Sequence, residues 1–186
     1  MIETLENPIQ IIKRLLRLTV LGSALALAGC VTADNPLSQN DVENLKLTSV
    51  VVSFAPKALV MGEDGPRDIL EGKIRAGVEQ AMAGQLVGAR PARLEIVVSR
   101  FRVPSAGSSI LIGSNPEMFA SAALVDARTG AVIIVNPEVQ AALVGGHGVI
   151  GFAVQAAIDN SANQTPESRL IAEFGRAYRA WLTRGA

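Results

Sequence analysis

The uncharged run from Leu18 to Ala28 ends at Cys30, the only cysteine in the chain. Lys13, Arg14 and Arg17 precede the run, and small residues close it. A basic segment, an apolar segment and a small-residue end form the tripartite layout of a secretory signal. The run is about half the roughly 20 apolar residues that a helix needs to cross a bilayer. A cytosolic core helix or an uncleaved interfacial helix could also carry such a run. Neither accounts for the basic residues on the correct side and a thiol used once, at the end. Residues 1–29 are therefore set apart from the fold. The remainder of the chain must build its core without a disulfide, so burial of apolar side chains has to hold it together.

The four residues Leu27-Ala28-Gly29-Cys30 resemble the lipobox of bacterial lipoproteins. That resemblance implies cleavage between Gly29 and Cys30, a diacylglyceryl group on the thiol, and a further acyl chain such as palmitate on the new N-terminus. It also implies a partner, the membrane itself, held through acyl chains on Cys30. Two or more chains give stable anchoring, at about 0.8 kcal/mol per buried methylene. Val31 stands where Asp favours inner-membrane retention in enteric lipoproteins. The resemblance therefore leans towards an outer-membrane protein facing the periplasm, with the inner membrane as the other choice.

Met1 to Gly29 takes three basic and two acidic residues from a chain with 17 of each, leaving a net charge near −1. Such a balance gives no broad attraction to nucleic acid or anionic lipid. Residues 30–44 read as a lipidated cysteine and a polar tether, with Asp34-Asn35-Pro36 and no sustained periodicity. Residues 45–186 read as one domain, long enough for a single core.

Leu47 to Phe54 alternates, with Val50, Val52 and Phe54 on one face, and predicts a strand. Pro66 opens a helix, and Leu70, Ile74, Val78, Ala81, Met82 and Leu86 recur at helical spacing. Gly72, Gly77 and Gly84 weaken that helix by up to about 1 kcal/mol each, or let it approach the sheet closely. Arg93 to Val103 is a second strand. Its hydrophobic phase changes near Ser99, which predicts a bulge or a departure from the sheet. Glu117 to Asp126 and Ala131 to Val135 are strands three and four, joined through Asp126-Ala127-Arg128-Thr129-Gly130 as a hairpin. The unbroken apolar run of the fourth predicts burial on both faces. A helix between strands one and two makes that pair parallel.

Thr165-Pro166-Glu167 supplies an N-cap, an N1 proline and an early acid to a final helix. Its apolar stripe is Leu170, Ile171, Phe174, Tyr178, Trp181 and Leu182. The expected fold class is α/β, a two-layer sandwich with a short mixed four-stranded sheet and helices mainly on one face.

The catalytic inventory is thin. His147 is the only histidine and lies among glycines. A general base needs a positioned partner and a nucleophile, and in a hydrolase reading Ser108 and Ser109 have no sequence-evident base other than His147. No nucleophile elbow, P-loop or zinc-helix motif is present. No enzyme, metal or cofactor is expected.

Two apolar, glycine-flanked stretches stand out. One is Ile110, Leu111 and Ile112 within Gly107 to Gly113. The other runs from Val139 to Ile158, where His147 is the only titratable residue and Val149, Ile150 and Phe152 follow a glycine cluster. The plain reading is a loop and then a buried helix from Val149 to Ile158. The sharper one is an exposed patch of these six residues for a partner or lipid.

The order of strands, hairpin, apolar segment and closing helix resembles small envelope lipoprotein domains of uncharacterised function. That implies a lipid-anchored, non-catalytic interaction or assembly module with an envelope protein as partner. The alternative is a carrier of a small apolar ligand or lipid, with a pocket between the final helix and the sheet.

Overall fold

Alternation in four segments becomes one four-stranded sheet in the computed structural model, which describes residues 34–62, 66–104, 115–143 and 165–184. The elements in chain order are α1 (Gln39–Asn44), β1 (Leu45–Met61), α2 (Arg67–Ala81), β2 (Arg90–Arg102), β3 (Glu117–Asp126), β4 (Val132–Ala142) and α3 (Pro166–Leu182). The strand order is β1-β2-β3-β4, with β1 and β2 parallel and the other pairs antiparallel. The sheet is mixed and four-stranded, and α2 and α3 pack on it, so the α/β fold class is the expected one.

β1 extends beyond the predicted strand because β2 continues to pair with it as far as Arg102. Its pairing with β2 breaks between Phe54 and Leu59, where Pro56 can donate nothing to a ladder, and then resumes to Met61. β2 slips at Ser99 against both neighbours. Ser99 Oγ donates to the carbonyl of Phe119 at 3.1 Å. The slip is the bulge that the phase change foretold, and it returns Phe101 to the side that buries Leu94, Ile96 and Val98.

α2 buries Leu70, Ile74 and Val78 and stops at Ala81, short of the predicted Leu86. Leu86 has a φ of +48°, outside any helix, yet its side chain still reaches the core. Helical spacing counted it correctly as buried and wrongly as helical. α3 starts where its cap predicts, with Thr165 Oγ1 accepting from the Ser168 N–H at 3.1 Å. All six residues of its predicted stripe are buried.

The two helices run side by side in the same direction. Lys73 Nζ, midway along α2, meets Glu167 Oε1 at 3.0 Å near the start of α3, and an Arg179 guanidinium nitrogen donates to the Ala81 carbonyl at 3.4 Å near both ends. They approach closely because two glycines face across the contact. A Cβ at Gly77 would lie 2.4 Å from Ile171 Cγ2, and one at Gly175 would lie 2.4 Å from Ala81 Cβ. The Gly77 approach is to the second helix, not to the sheet.

The β3–β4 turn is held by one carboxylate. Asp126 Oδ1 accepts from the N–H groups of Arg128 and Thr129 at 3.0 and 3.1 Å, and Oδ2 accepts from Arg90 Nε at 3.0 Å. Gly130 takes a φ of +74° that suits glycine and donates back to the Asp126 carbonyl at 2.8 Å. The Thr129 and Arg128 N–H groups, with the Arg90 guanidinium, hold the Asp126 carboxyl down at about 2. An unfolded chain takes up this proton near 3.8 and the folded one only near 2. The stabilisation is therefore complete above the ordinary value and lost as pH falls through about 2. Asp126→Asn is expected to melt below the wild type at pH 7, and thermal melts should show that gap closing as the pH approaches 2.

β4 corrects one expectation. Its apolar run is not buried on both faces: Ile134 is buried, while Val132 and Val135 are 62% and 45% exposed. β4 is the last strand of the sheet, and a shift in its register falls beside Ile133. It also runs on to Ala142, so the stretch expected to begin at Val139 starts inside the sheet.

The stretch read as tether is partly packed. α1 carries a capping box, in which Ser38 Oγ accepts from the Asp41 N–H and Asp41 Oδ2 from the Ser38 N–H, both at 3.2 Å. Val42 is buried and Leu37 packs against the core. Six residues are too few for periodicity to show. Asn35 Nδ2 donates to the carbonyls of Trp181 and Leu182, which close α3.

Candidate functional site

The residues singled out in the sequence divide into those outside the described residues and those whose surroundings can be seen. Gly29, Cys30, Ile110, Leu111, Ile112, Val149, Ile150 and Phe152 lie outside, as do Ser108, Ser109 and His147. The residues that bracket the two apolar stretches are described, and they come together. Val103 N–H donates to the Met61 carbonyl at 2.9 Å, and Leu143 N–H to the Pro116 carbonyl at 3.0 Å. Glu117 pairs with Ala142, and Arg102 with both Met61 and Glu117. Both stretches thus leave the sheet at one end, beside the start of α3. Glu117 Oε1 stands 3.2 Å from an Arg100 guanidinium nitrogen and 3.2 Å from Arg102 Nε, so this rim carries a compact ionic group. Arg100 also lies over the Phe119 ring, 5.0 Å from its centre.

The sheet has a second exposed feature that the sequence reading missed. α2 and α3 cover one face, where Leu94, Ile96, Val98, Ala120, Ala122 and Leu124 are buried. On the other face, Val51, Glu95, Ala123 and Val135 form one cross-strand row, and Ser53, Val97 and Ser121 the next. Val51, Val97 and Val135 are 39–45% exposed. Ala123, Ser53 and Ser121 are small, and Glu95 stands between Val51 and Ala123, so the face mixes valines on both edge strands and on β2 with one charged position. Arg93 and Glu95 pair along β2 at 2.5 Å, so an ion pair stands on an inner strand of this face, within the first row. The signal was present: each of these valines alternates with a buried neighbour. The run Val132 to Val135 hid it by looking buried on both sides.

No family model matches the chain, and no curated protein matches it. Solved structures do. Protein XCC0632 from Xanthomonas campestris, of family DUF330, is similar at 16% identity and a TM-score of 0.41, over 80% of this chain and 86% of that one. The PelC dodecamer from Paraburkholderia phytofirmans is similar at 14% identity and a TM-score of 0.38, over 78% and 93% of the two chains. Lipoprotein GNA1162 from Neisseria meningitidis is similar at 19% identity and a TM-score of 0.25, over 63% and 100%.

The space between α3 and the sheet is filled rather than hollow among the described residues. Leu170, Phe174 and Tyr178 are fully buried there, with the Tyr178 and Trp181 rings 5.7 Å apart. Burial pushes the Tyr178 phenol well above its ordinary value, so it stays protonated. Among the described residues, two recesses flank the loop after α2. One of about 440 Å³ is lined by Val42, Met82, Leu86, Val87, Arg179 and Leu182, and one of about 360 Å³ lies on the β1 side of the same loop. Among the described residues, no three His, Cys, Asp or Glu side chains gather to hold a metal, and no helix is long and apolar enough to cross a membrane. Asp126, the one acidic side chain strongly shifted among the described residues, is engaged by its turn and Arg90.

Proposed function

We propose that this chain is a lipid-anchored protein of the bacterial envelope whose domain is a non-catalytic interaction module. Acyl chains on Cys30 hold it to the outer membrane, facing the periplasm, and the open face of its sheet receives an envelope protein. The observation that carries this reading is that uncovered face: exposed valines 51, 97 and 135 spread over three strands, small side chains among them, and the Arg93–Glu95 ion pair on β2. Exposed apolar side chains interspersed with polar groups suit a non-obligate protein interface, which is about as apolar as the rest of a protein surface. A shallow surface suits a protein better than a small ligand, which needs concavity. The filled α3–sheet contact supports the module over a carrier with its pocket there.

A photo-crosslinking residue placed at Val97 in intact cells tests it. A discrete adduct from position 97, with none from the exposed Ile69 on α2, is the expected result. Absence of any adduct from positions 51, 97 and 135 would overturn the assignment.

A further inference from the structure

The first fixed point after Cys30 is Asn35, and its place in the fold limits how the domain can stand. Asn35 Nδ2 donates to the last carbonyls of α3, those of Trp181 and Leu182, the first of which also accepts from the Arg184 N–H. Asn35 Oδ1 accepts from the Leu37 N–H at 3.0 Å, and Val42 is buried close behind. The chain is thus pinned at the C-terminal end of α3. An extended chain covers at most about 3.3–3.6 Å per residue, so Cys30 lies within roughly 18 Å of this point.

The rest of that end can be read from the pairing. α2 and α3 both point towards it. β1 begins there, with Leu47 N–H donating to the Leu86 carbonyl, and Lys46 bridges to Val87. The β3–β4 turn lies there too, since Ala127 N–H donates to the Pro91 carbonyl at 3.0 Å. Met61, Val103, Pro116, Leu143 and Thr165 lie at the opposite end. α3 has 17 residues and spans about 25 Å at 1.5 Å per residue. β2 has 13 residues and spans about 40 Å at 3.3 Å per residue. The most exposed large apolar side chain among the described residues, Val87 at 76%, sits at the Asn35 end.

We infer that this end, with Val87 and the turn at 127–130, rests on the lipid surface, and that the end bearing Met61 and Leu143 is held away from it. The inference rests on the lipid anchor proposed above. Val87, bridged to Lys46 at this end, presents an exposed apolar side chain that the interfacial region of a bilayer accepts at little cost. The tether is shorter than β2 is long, so it brings the Asn35 end to the bilayer first. Val103, Pro116 and Leu143, which bracket the apolar stretches, lie at the far end, so an upright domain turns the bases of those stretches towards the periplasm.

The test uses the full chain acylated in cells and reconstituted into phosphatidylethanolamine–phosphatidylglycerol vesicles containing spin-labelled lipid. Acylated Cys30 has no free thiol, so Val87→Cys and Met61→Cys each offer a single labelling site for an environment-sensitive fluorophore. Arg128→Cys, in the exposed turn, replaces the first variant if it folds poorly. The expected result is loss of most emission from position 87 or 128 and retention at 61. Equal loss at both ends means that the domain lies flat and overturns the inference. So does retention at both while the protein floats with the vesicles, because the domain then hangs free. Failure to float, with Cys30 unmodified by mass spectrometry, overturns the anchor and the inference together, and flotation separates that case from the others.

Discussion

Phe174→Ala is expected to lower the free energy of unfolding by about 3–5 kcal/mol, the usual range for emptying a fully buried phenylalanine site. Phe174 is wholly buried on α3, one turn from both Leu170 and Tyr178. Helix and sheet are braced against each other around it. The Gly175–Ala81 and Gly77–Ile171 contacts already fix the helix pair at its closest approach, so α2 and α3 cannot settle into the space. A cavity that cannot collapse sits at the costly end of the range. Domains of this size are stable by about 5–15 kcal/mol, so the variant loses a large share of that. Tyr178→Phe is the informative contrast. The Tyr178 hydroxyl is buried without a protein partner among the described residues, so its removal relieves a desolvated polar group and leaves the packing intact. Urea titrations should show a large drop in midpoint for Phe174→Ala and none, or a rise, for Tyr178→Phe. A loss under about 1 kcal/mol for Phe174→Ala would mean that α3 is not docked as described.

Cys30→Ala is expected to abolish acylation completely. The thiol is the only group in Leu27-Ala28-Gly29-Cys30 able to form a thioether, and no other cysteine exists to replace it. Mass spectrometry of the wild type should find an N-terminal Cys30 peptide heavier by its acyl chains. The variant should lack it and accumulate with residues 1–29 attached, because the lipoprotein cleavage that the motif implies follows lipidation. A chain that starts at Val31 behind a non-lipid secretory signal should partition with the soluble periplasmic fraction. Its net charge near zero offers the membrane no electrostatic substitute. An unmodified Cys30 in the wild type would overturn the anchor.

Much of the fold was legible because its period was clean. The stripe from Leu170 to Leu182 and its Thr165 cap are local facts, and α3 forms as they dictate. The phase change at Ser99 named its own bulge, and the Asp126 to Gly130 turn was readable because each residue has a stereochemical job there. Errors arose where a residue's environment depends on partners distant in sequence. Val132 and Val135 have the same apolar character as Ile134, but only the strand order says that β4 is an edge with one face uncovered. Leu86 kept the helical period that its backbone had abandoned, because a loop can return a side chain to the core. α1 was invisible: its hold on the domain comes from Val42, Leu37 and the reach of Asn35 to α3, not from its own pattern.

By itself, the sequence determined the periods that make the strands and helices, the caps and turn that end them, and the single thiol that no other feature of the chain uses. These are properties of neighbouring residues, set by rotamers, backbone sterics and hydrogen bonds within a few positions. Only the tertiary structure decided which sheet face stays open, that the bases of both apolar stretches share one end, and that Asn35 fastens the chain to the other. Those are facts of strand order and helix direction. They arise when apolar faces far apart in sequence find one another, and burial rewards the apposition whatever the distance along the chain.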